Sequence, residues 1–201
     1  MKPYFDESTH SFMIDKYYIP SVSGILRHSG ICPPMDFIPK MYASRGSFIH
    51  EITEMVDQGI CDYSTIPPDW LGFVSAYERF TEDHKPEVIE SEKQVFNSEL
   101  LYAGILDRVF LIDGCRVVLD IKTGKYTKWH KAQLTAYNLA YFDKLIDGVA
   151  SLYLSADGKY DLKNYDELYP YQQEWESACY LYWYKRERDQ KMIRKILDEL
   201  K

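Results

Sequence analysis

Asp113-Gly114 narrows the fold of this chain more than any other pair of residues. It separates two apolar runs, 101–112 and 117–122. Asp-Gly in that setting signals a two-residue β-hairpin turn, whose central residues must take positive φ. Pairing symmetric about the turn sets Asp107 opposite Asp120, so two carboxylates thirteen residues apart in sequence face one another in space. Both can then reach one cation.

The second run, Val117-Val118-Leu119-Asp120-Ile121-Lys122, suits a buried strand that ends at Gly124. Alternation along it puts Asp120 and Lys122 on one face and turns Ile121 into the opposite layer. Oxygen ligands of this kind suit Mg²⁺ or Mn²⁺, which commonly take one or two protein carboxylates and keep several waters. A lysine beside them can orient a metal-bound water and offset charge developing on a phosphate. Asp107, Asp120 and Lys122 are therefore the candidate catalytic residues. An isolated Asp-x-Lys more often marks a surface ion pair on a hairpin, so other segments have to decide.

Upstream, Phe48, Ile49, Ile52, Met55 and Val56 recur at helical spacing and predict an amphipathic helix over 45–56. His50 and Glu54, four apart, share one of its faces. A histidine nitrogen can complete a mainly carboxylate coordination set, and Glu54 can orient that imidazole or cap a basic neighbour. Downstream, residues 121–142 contain no aspartate or glutamate but do contain Lys122, Lys125, Lys128 and Lys131. In a chain with 24 basic and 31 acidic side chains, net charge −7, this is a local reversal of sign that fits a phosphate backbone. Lys125, Lys128 and Lys131, with Arg45 at the start of the His50 helix, are the candidate basic DNA contacts. A helix over 129–141 places Gln133 and Tyr137 together, an amide and a phenol near the site.

Gly46-x-x-x-His50-x-x-x-Glu54, Gly104-x-x-Asp107, Asp120-Ile121-Lys122-Thr123-Gly124-Lys125 and Gln133-Leu134-x-x-Tyr137, in that order, resemble the PD-(D/E)XK nuclease superfamily, in particular its RecB-like and phage-type exonuclease branch. The resemblance implies an α/β, restriction-endonuclease-like core: a mixed central β-sheet flanked by helices. It also implies that His50, Asp107, Asp120 and the Ile121 carbonyl hold the metal, that Lys122 assists the attacking water, and that Gln133 and Tyr137 line the DNA side. Glu92 falls roughly where many relatives carry a glutamate on the first core strand, and with Glu54 it is an additional acidic candidate. Leu106 replaces the proline that often precedes the first motif aspartate. Some relatives carry an iron-sulfur cluster, but Cys32, Cys61, Cys115 and Cys179 are scattered with no Cys-x-x-Cys pair. No cluster is predicted, and the thiols read as small buried side chains in a reducing cytoplasm. Neither cysteines nor histidines show a zinc spacing.

At 201 residues and 46% hydrophobic content, one domain over 1–201 is expected. Its core spans about 44–156, with an N-terminal hairpin over 3–19 and a long C-terminal helix over about 170–200. The Pro20-Ser21-Val22-Ser23 segment leads into a short helix, 31–40 with three prolines is a connector, and Pro67-Pro68 opens a helix carrying Trp70, Phe73, Tyr77 and Phe80. The hairpin and Pro-Ser-Val-Ser entry are similar to phage-encoded members of the superfamily. No run approaches a membrane span and no secretory pattern opens the chain, so a cytoplasmic protein of a bacterium or phage-infected cell is expected. The function that follows is a Mg²⁺- or Mn²⁺-dependent DNA exonuclease in recombination, repair or phage DNA processing, with DNA as partner and room for self-assembly or a recombination or replication partner. The alternative is a catalytically silent nuclease-fold protein that binds DNA or another protein. Hydrolysis of small phosphoesters lacks a nucleotide-binding loop in support.

Overall fold

The computed structural model describes residues 3–9, 11–34, 40–141 and 146–199. Strands β1 (Tyr4–Asp6), β2 (Ser11–Ile14) and β3 (Tyr17–Ile19) precede helices α1 (Val22–His28), α2 (Lys40–Asp57) and α3 (Leu71–His84). Then come β4 (Glu87–Asn97), β5 (Tyr102–Ile112), β6 (Cys115–Lys122), α4 (Trp129–Ala140), β7 (Gly148–Leu154), β8 (Tyr160–Asn164), α5 (Tyr169–Tyr184) and α6 (Glu187–Glu199). The five later strands form one mixed sheet in the order β4-β5-β6-β7-β8. Every neighbour is antiparallel except β6 and β7, the pair that α4 connects. A parallel pair needs such a crossover, and here it lays α4 across the sheet directly beyond Lys122.

The Asp113-Gly114 turn forms as its chemistry predicts, with φ of 51° and 81°. Its register runs from Ile112–Cys115 to Arg108–Leu119, so Asp107 and Asp120 are the next residues along the two strands. Alternation then sorts the side chains between two cores. Val109 and Val118 face a layer made by α1, α4 and α5, while Phe110, Leu119 and Ile121 face α2 and α3. Asp120 and Lys122 share the parity of Val118 and so lie on the α4 side, as the strand period requires.

Two expected elements differ in detail. The N-terminal segment is a three-stranded sheet in the order β1-β2-β3, because Asp15 takes positive φ (55°) and turns the chain back a second time before Tyr17. The C-terminal helix breaks in two at Lys185–Arg186. Tyr182 and Trp183 are buried, and the Trp183 indole donates to the Leu100 and Leu101 carbonyls; the chain must turn there for Ile193 to reach the same core. Of the proline-rich connector, residues 35–39 lie outside the described residues. Cys32 and Cys179 are buried as expected, but Cys61 is half-buried and Cys115, beside the hairpin turn, is exposed.

Gly72, near the start of α3, is held by packing. A Cβ built there would lie 1.8 Å from the Ala156 carbonyl oxygen in the turn between β7 and β8. A backbone atom at that distance cannot rotate away, so the helix or the turn would have to move. Gly72→Ala is expected to destabilise the protein by about 3 kcal/mol or more, at the upper end of overpacking costs. Urea unfolding followed by circular dichroism measures it; an unchanged midpoint would contradict this packing.

Candidate metal centre and cleft

Beyond Arg108–Leu119 the β5–β6 ladder gives way to side-chain contacts. The Ile121 amide donates to Asp107 Oδ2 at 2.6 Å, so the carboxylate takes over a bond that a backbone carbonyl would otherwise accept. His50 on α2 enters the same place, with Nδ1 3.4 Å from Asp107 Oδ1 and Nε2 3.0 Å from the Ile121 carbonyl. Burial opposes a charged imidazole, but Asp107 outweighs it and holds the His50 pKa up at about 9. Both ring nitrogens then donate. For Asp107, burial works toward a raised pKa, yet His50, Lys122 and the Ile121 amide together hold it below the ordinary value.

Glu92 joins this pair from β4. Its neighbours Ser91 and Lys93 pair with Arg108 and Leu106, while Glu92 itself has φ of 44° opposite Asp107. A glutamate in the left-handed region costs roughly 1–2 kcal/mol, and such residues gather at functional sites. Ligand atoms of His50, Glu92 and Asp107 all lie within 4.8 Å of one another. Burial first, then the Asp107 charge, push the Glu92 carboxyl up.

Asp120 and Lys122 complete the centre on the α4 side. Lys122 Nζ lies 2.6 Å from Asp120 Oδ2 and donates to Gln133 Oε1 at 3.0 Å. Gln133 in turn donates to the Tyr137 hydroxyl at 3.3 Å. Burial, countered by Lys122 and reinforced by Asp107, pushes the Asp120 carboxyl up to about 6. Its buried Oδ2 is paired with the lysine ammonium.

Gly104 explains why Tyr137 can stand where it does, since a Cβ on Gly104 would come within 2.7 Å of the Tyr137 ring. Glu54 accepts from Ser91 Oγ at 2.9 Å and so braces the β4 segment beside Glu92.

The basic candidates divide. Lys125 and Lys128 are exposed, Lys125 lining the cleft beside Lys122, and Arg45 Nη2 donates to the Thr123 carbonyl at 2.8 Å, tying α2 to the end of β6. Lys131 instead lies against the Tyr165 and Tyr171 rings and donates to the Tyr171 hydroxyl. A cleft of about 840 Å³ is lined by His50, Lys122, Arg45, Lys125, Trp129 and Ala156 among others.

Sequence reasoning missed Arg108. Its side chain is fully buried, with Nε 2.7 Å from Asp57 Oδ2, Nη1 donating to the Asp107 carbonyl at 2.7 Å, and Nη1 3.4 Å from Glu92 Oε1. Asp57 also accepts from the Tyr77 hydroxyl at 2.6 Å. The available signal was a charged pair, Asp107-Arg108, inside an otherwise apolar strand. His130 was missed too: it is buried on α4 with Nδ1 2.7 Å from the Tyr153 hydroxyl, and burial followed by the Lys122 charge drives its pKa down to about 3.

No family profile matches the chain, and no curated protein matches it. A solved structure described as "Crystal structure of SSO0001" is similar at 18% identity over 70% of this chain and 71% of that one, with a TM-score of 0.33. A likeness of that degree carries no argument about activity.

Two measurements check this geometry. Glu92→Gly relieves the left-handed glutamate at the cost of extra chain entropy. Stability in EDTA is expected to stay within about 1 kcal/mol of the parent, while Mn²⁺ affinity by calorimetry falls about tenfold or more. His130 has a folded pKa below its unfolded value of about 6.5, so the unfolded chain binds the extra proton between pH 6.5 and 3 and His130 costs stability as pH falls through that window. In His130→Gln the loss of urea midpoint from pH 7 to pH 5 should be smaller than in the parent; identical slopes would contradict a neutral buried imidazole.

Proposed function

We propose that this chain is a Mg²⁺- or Mn²⁺-dependent DNA nuclease acting as an exonuclease in recombination, repair or phage DNA processing. The observation that carries this reading is the convergence of His50, Glu92 and Asp107 ligand atoms within 4.8 Å, beside a lysine held between Asp120 and Gln133. The chain's own residues divide the work. His50, Glu92 and Asp107 would hold the cation, with Asp120 and the Ile121 carbonyl adjoining them. A divalent cation bound there would supply a water more readily ionised than bulk water, and charge to balance a phosphodiester.

Lys122 Nζ is fixed by two acceptors at 2.6 Å and 3.0 Å, so its position is set before substrate arrives. From there it can orient a nucleophilic water and offset charge on the non-bridging phosphate oxygens. Gln133 holds the lysine, and Tyr137 holds Gln133. The restriction-endonuclease-like affiliation of the core and the phage or bacterial setting belong to this same proposal. They rest on the order of the four motifs and on the mixed five-stranded sheet that presents them.

End-labelled single- and double-stranded DNA incubated with Mg²⁺, Mn²⁺ or EDTA tests the reading, and the product ladder separates stepwise removal from internal cuts. Lys122→Ala is expected to lower the cleavage rate by roughly a thousandfold, in the range of losing one electrostatic stabiliser, while Mn²⁺ still binds. Metal-independent inertness of the parent on all these substrates would favour a silent, DNA-binding role instead.

A further inference from the structure

The cleft is walled by aromatic and cationic side chains. Tyr42 and Arg45 from α2 and Phe73 from α3 form one side, and Trp129 at the start of α4 the other, with Lys122 and Lys125 between them. The Arg45 guanidinium is stacked between two rings, 4.9 Å from the Tyr42 centroid and 4.7 Å from that of Phe73. Lys122 Nζ lies 5.7 Å from the Trp129 centroid. Tyr42 is 47% exposed although its ring backs onto the cleft.

Charge points the same way. No aspartate or glutamate is among the described residues lining the cleft, in a chain of net charge −7. Among the described residues no carboxylate lies within ion-pair distance of Arg45; its one oxygen partner is the Thr123 carbonyl, and its buried Nε has no acceptor. A guanidinium left uncompensated between aromatic rings suits an anionic, π-bearing occupant. Paired bases offer a protein their edges and phosphates, and only unpaired bases offer their faces. The volume of about 840 Å³ is that of a small-ligand pocket and not of a groove that cradles a double helix.

We propose that this cleft binds the unpaired end of a DNA strand, its bases stacked against Tyr42 and Trp129 and its phosphates met by Arg45, Lys122 and Lys125. The phosphodiester nearest Lys122 is then the one presented for cleavage. This inference rests on the nuclease reading for which bond is presented. The binding mode itself requires no turnover.

Fluorescence anisotropy in EDTA, with fluorescein-labelled oligothymidylate and a blunt duplex of equal length, tests it without cleavage. The single strand is expected to bind about tenfold tighter than the duplex. Trp129→Ala and Tyr42→Ala should each weaken single-strand binding about fivefold or more, the effect of losing one stacked base, and leave duplex binding unmoved. Trp129→Phe keeps a stacking surface and should recover most of the loss, which separates stacking from damage to α4. Lys125→Ala should flatten the salt dependence of single-strand binding by about 0.7 in log–log slope. Equal affinity for the duplex, or equal weakening of both probes by the aromatic variants, overturns the proposal. Selective single-strand binding without metal-dependent cleavage of any DNA would sink the nuclease reading and leave this inference standing; cleavage with no single-strand selectivity would do the reverse.

Discussion

The arrangement of the site depends on the burial of one full charge, the Arg108 guanidinium. It lies on the α2–α3 side of β5, and its partners come from three elements: Asp57 at the end of α2, Glu92 on β4 and the Asp107 carbonyl on its own strand. Removing the buried Asp57 carboxylate from such a pair typically costs about 3–5 kcal/mol, because the remaining charge has nowhere to be solvated; Glu92, at 3.4 Å and with a solvent-exposed side chain, contributes much less. The helix that carries His50 is thereby tied to the strand that carries Asp107, at a point seven residues from His50. The same cation draws on Glu92 and helps hold a glutamate in a backbone conformation that glycine or asparagine would fill more cheaply. Placement of three candidate ligands thus follows from a residue that touches none of the reacting groups.

The balance of charge inside the centre follows from that packing. Asp107 and Asp120 are both almost wholly buried and close enough to raise one another's cost of ionisation. Two cations answer them in the structure: the His50 imidazolium faces Asp107 and the Ile121 carbonyl, and Lys122 faces Asp120. The acceptors that His50 engages as a donor are two of those proposed to hold or adjoin a metal. An imidazolium and a divalent ion therefore compete for the same oxygen atoms, and a ligand histidine serves the second only after giving up its proton.

Much of this was legible in the sequence, for identifiable reasons. The Asp113-Gly114 turn has few conformations open to it, so the register that brings Asp107 toward Asp120 followed from two residues. Strand alternation then put Asp120 and Lys122 together, and helical spacing put His50 and Glu54 on one face of α2, which the structure turns toward the sheet. The centre's third acidic member was harder to place. Glu92 was a weak candidate because strand alternation assumes a regular backbone, and a residue at φ of 44° breaks the alternation that would have assigned its face. Arg108 was invisible for a related reason: one charged residue in a strand reads as solvent-facing until its partners on α2 and β4 are known, and those lie 51 and 16 residues away. Lys131 was grouped with the cleft on charge alone, but a helix repeats every 3.6 residues, so Lys131 points to Tyr165 and Tyr171 while Gln133 points to Lys122.

Lys122 shows how the two halves of the site are coupled. Its ammonium sits between a buried carboxylate and an amide that is itself held by Tyr137. Tyr137 can approach only because residue 104 has no side chain. The chain of contacts therefore runs from a glycine on β5, through a ring and an amide on α4, to a lysine on β6 and the aspartate beside it. A positive charge arriving near Asp120 would repel Lys122 and attract the carboxylate, and at separations of about 4 Å even an effective dielectric of 20 makes such a pair worth roughly 4 kcal/mol. Gln133 is neutral and keeps its hold through that change, so the lysine can turn from Asp120 toward the cleft without losing its remaining anchor. Two acceptors of different charge thus do what two carboxylates could not: one can be given up to a cation while the other keeps Lys122 in place.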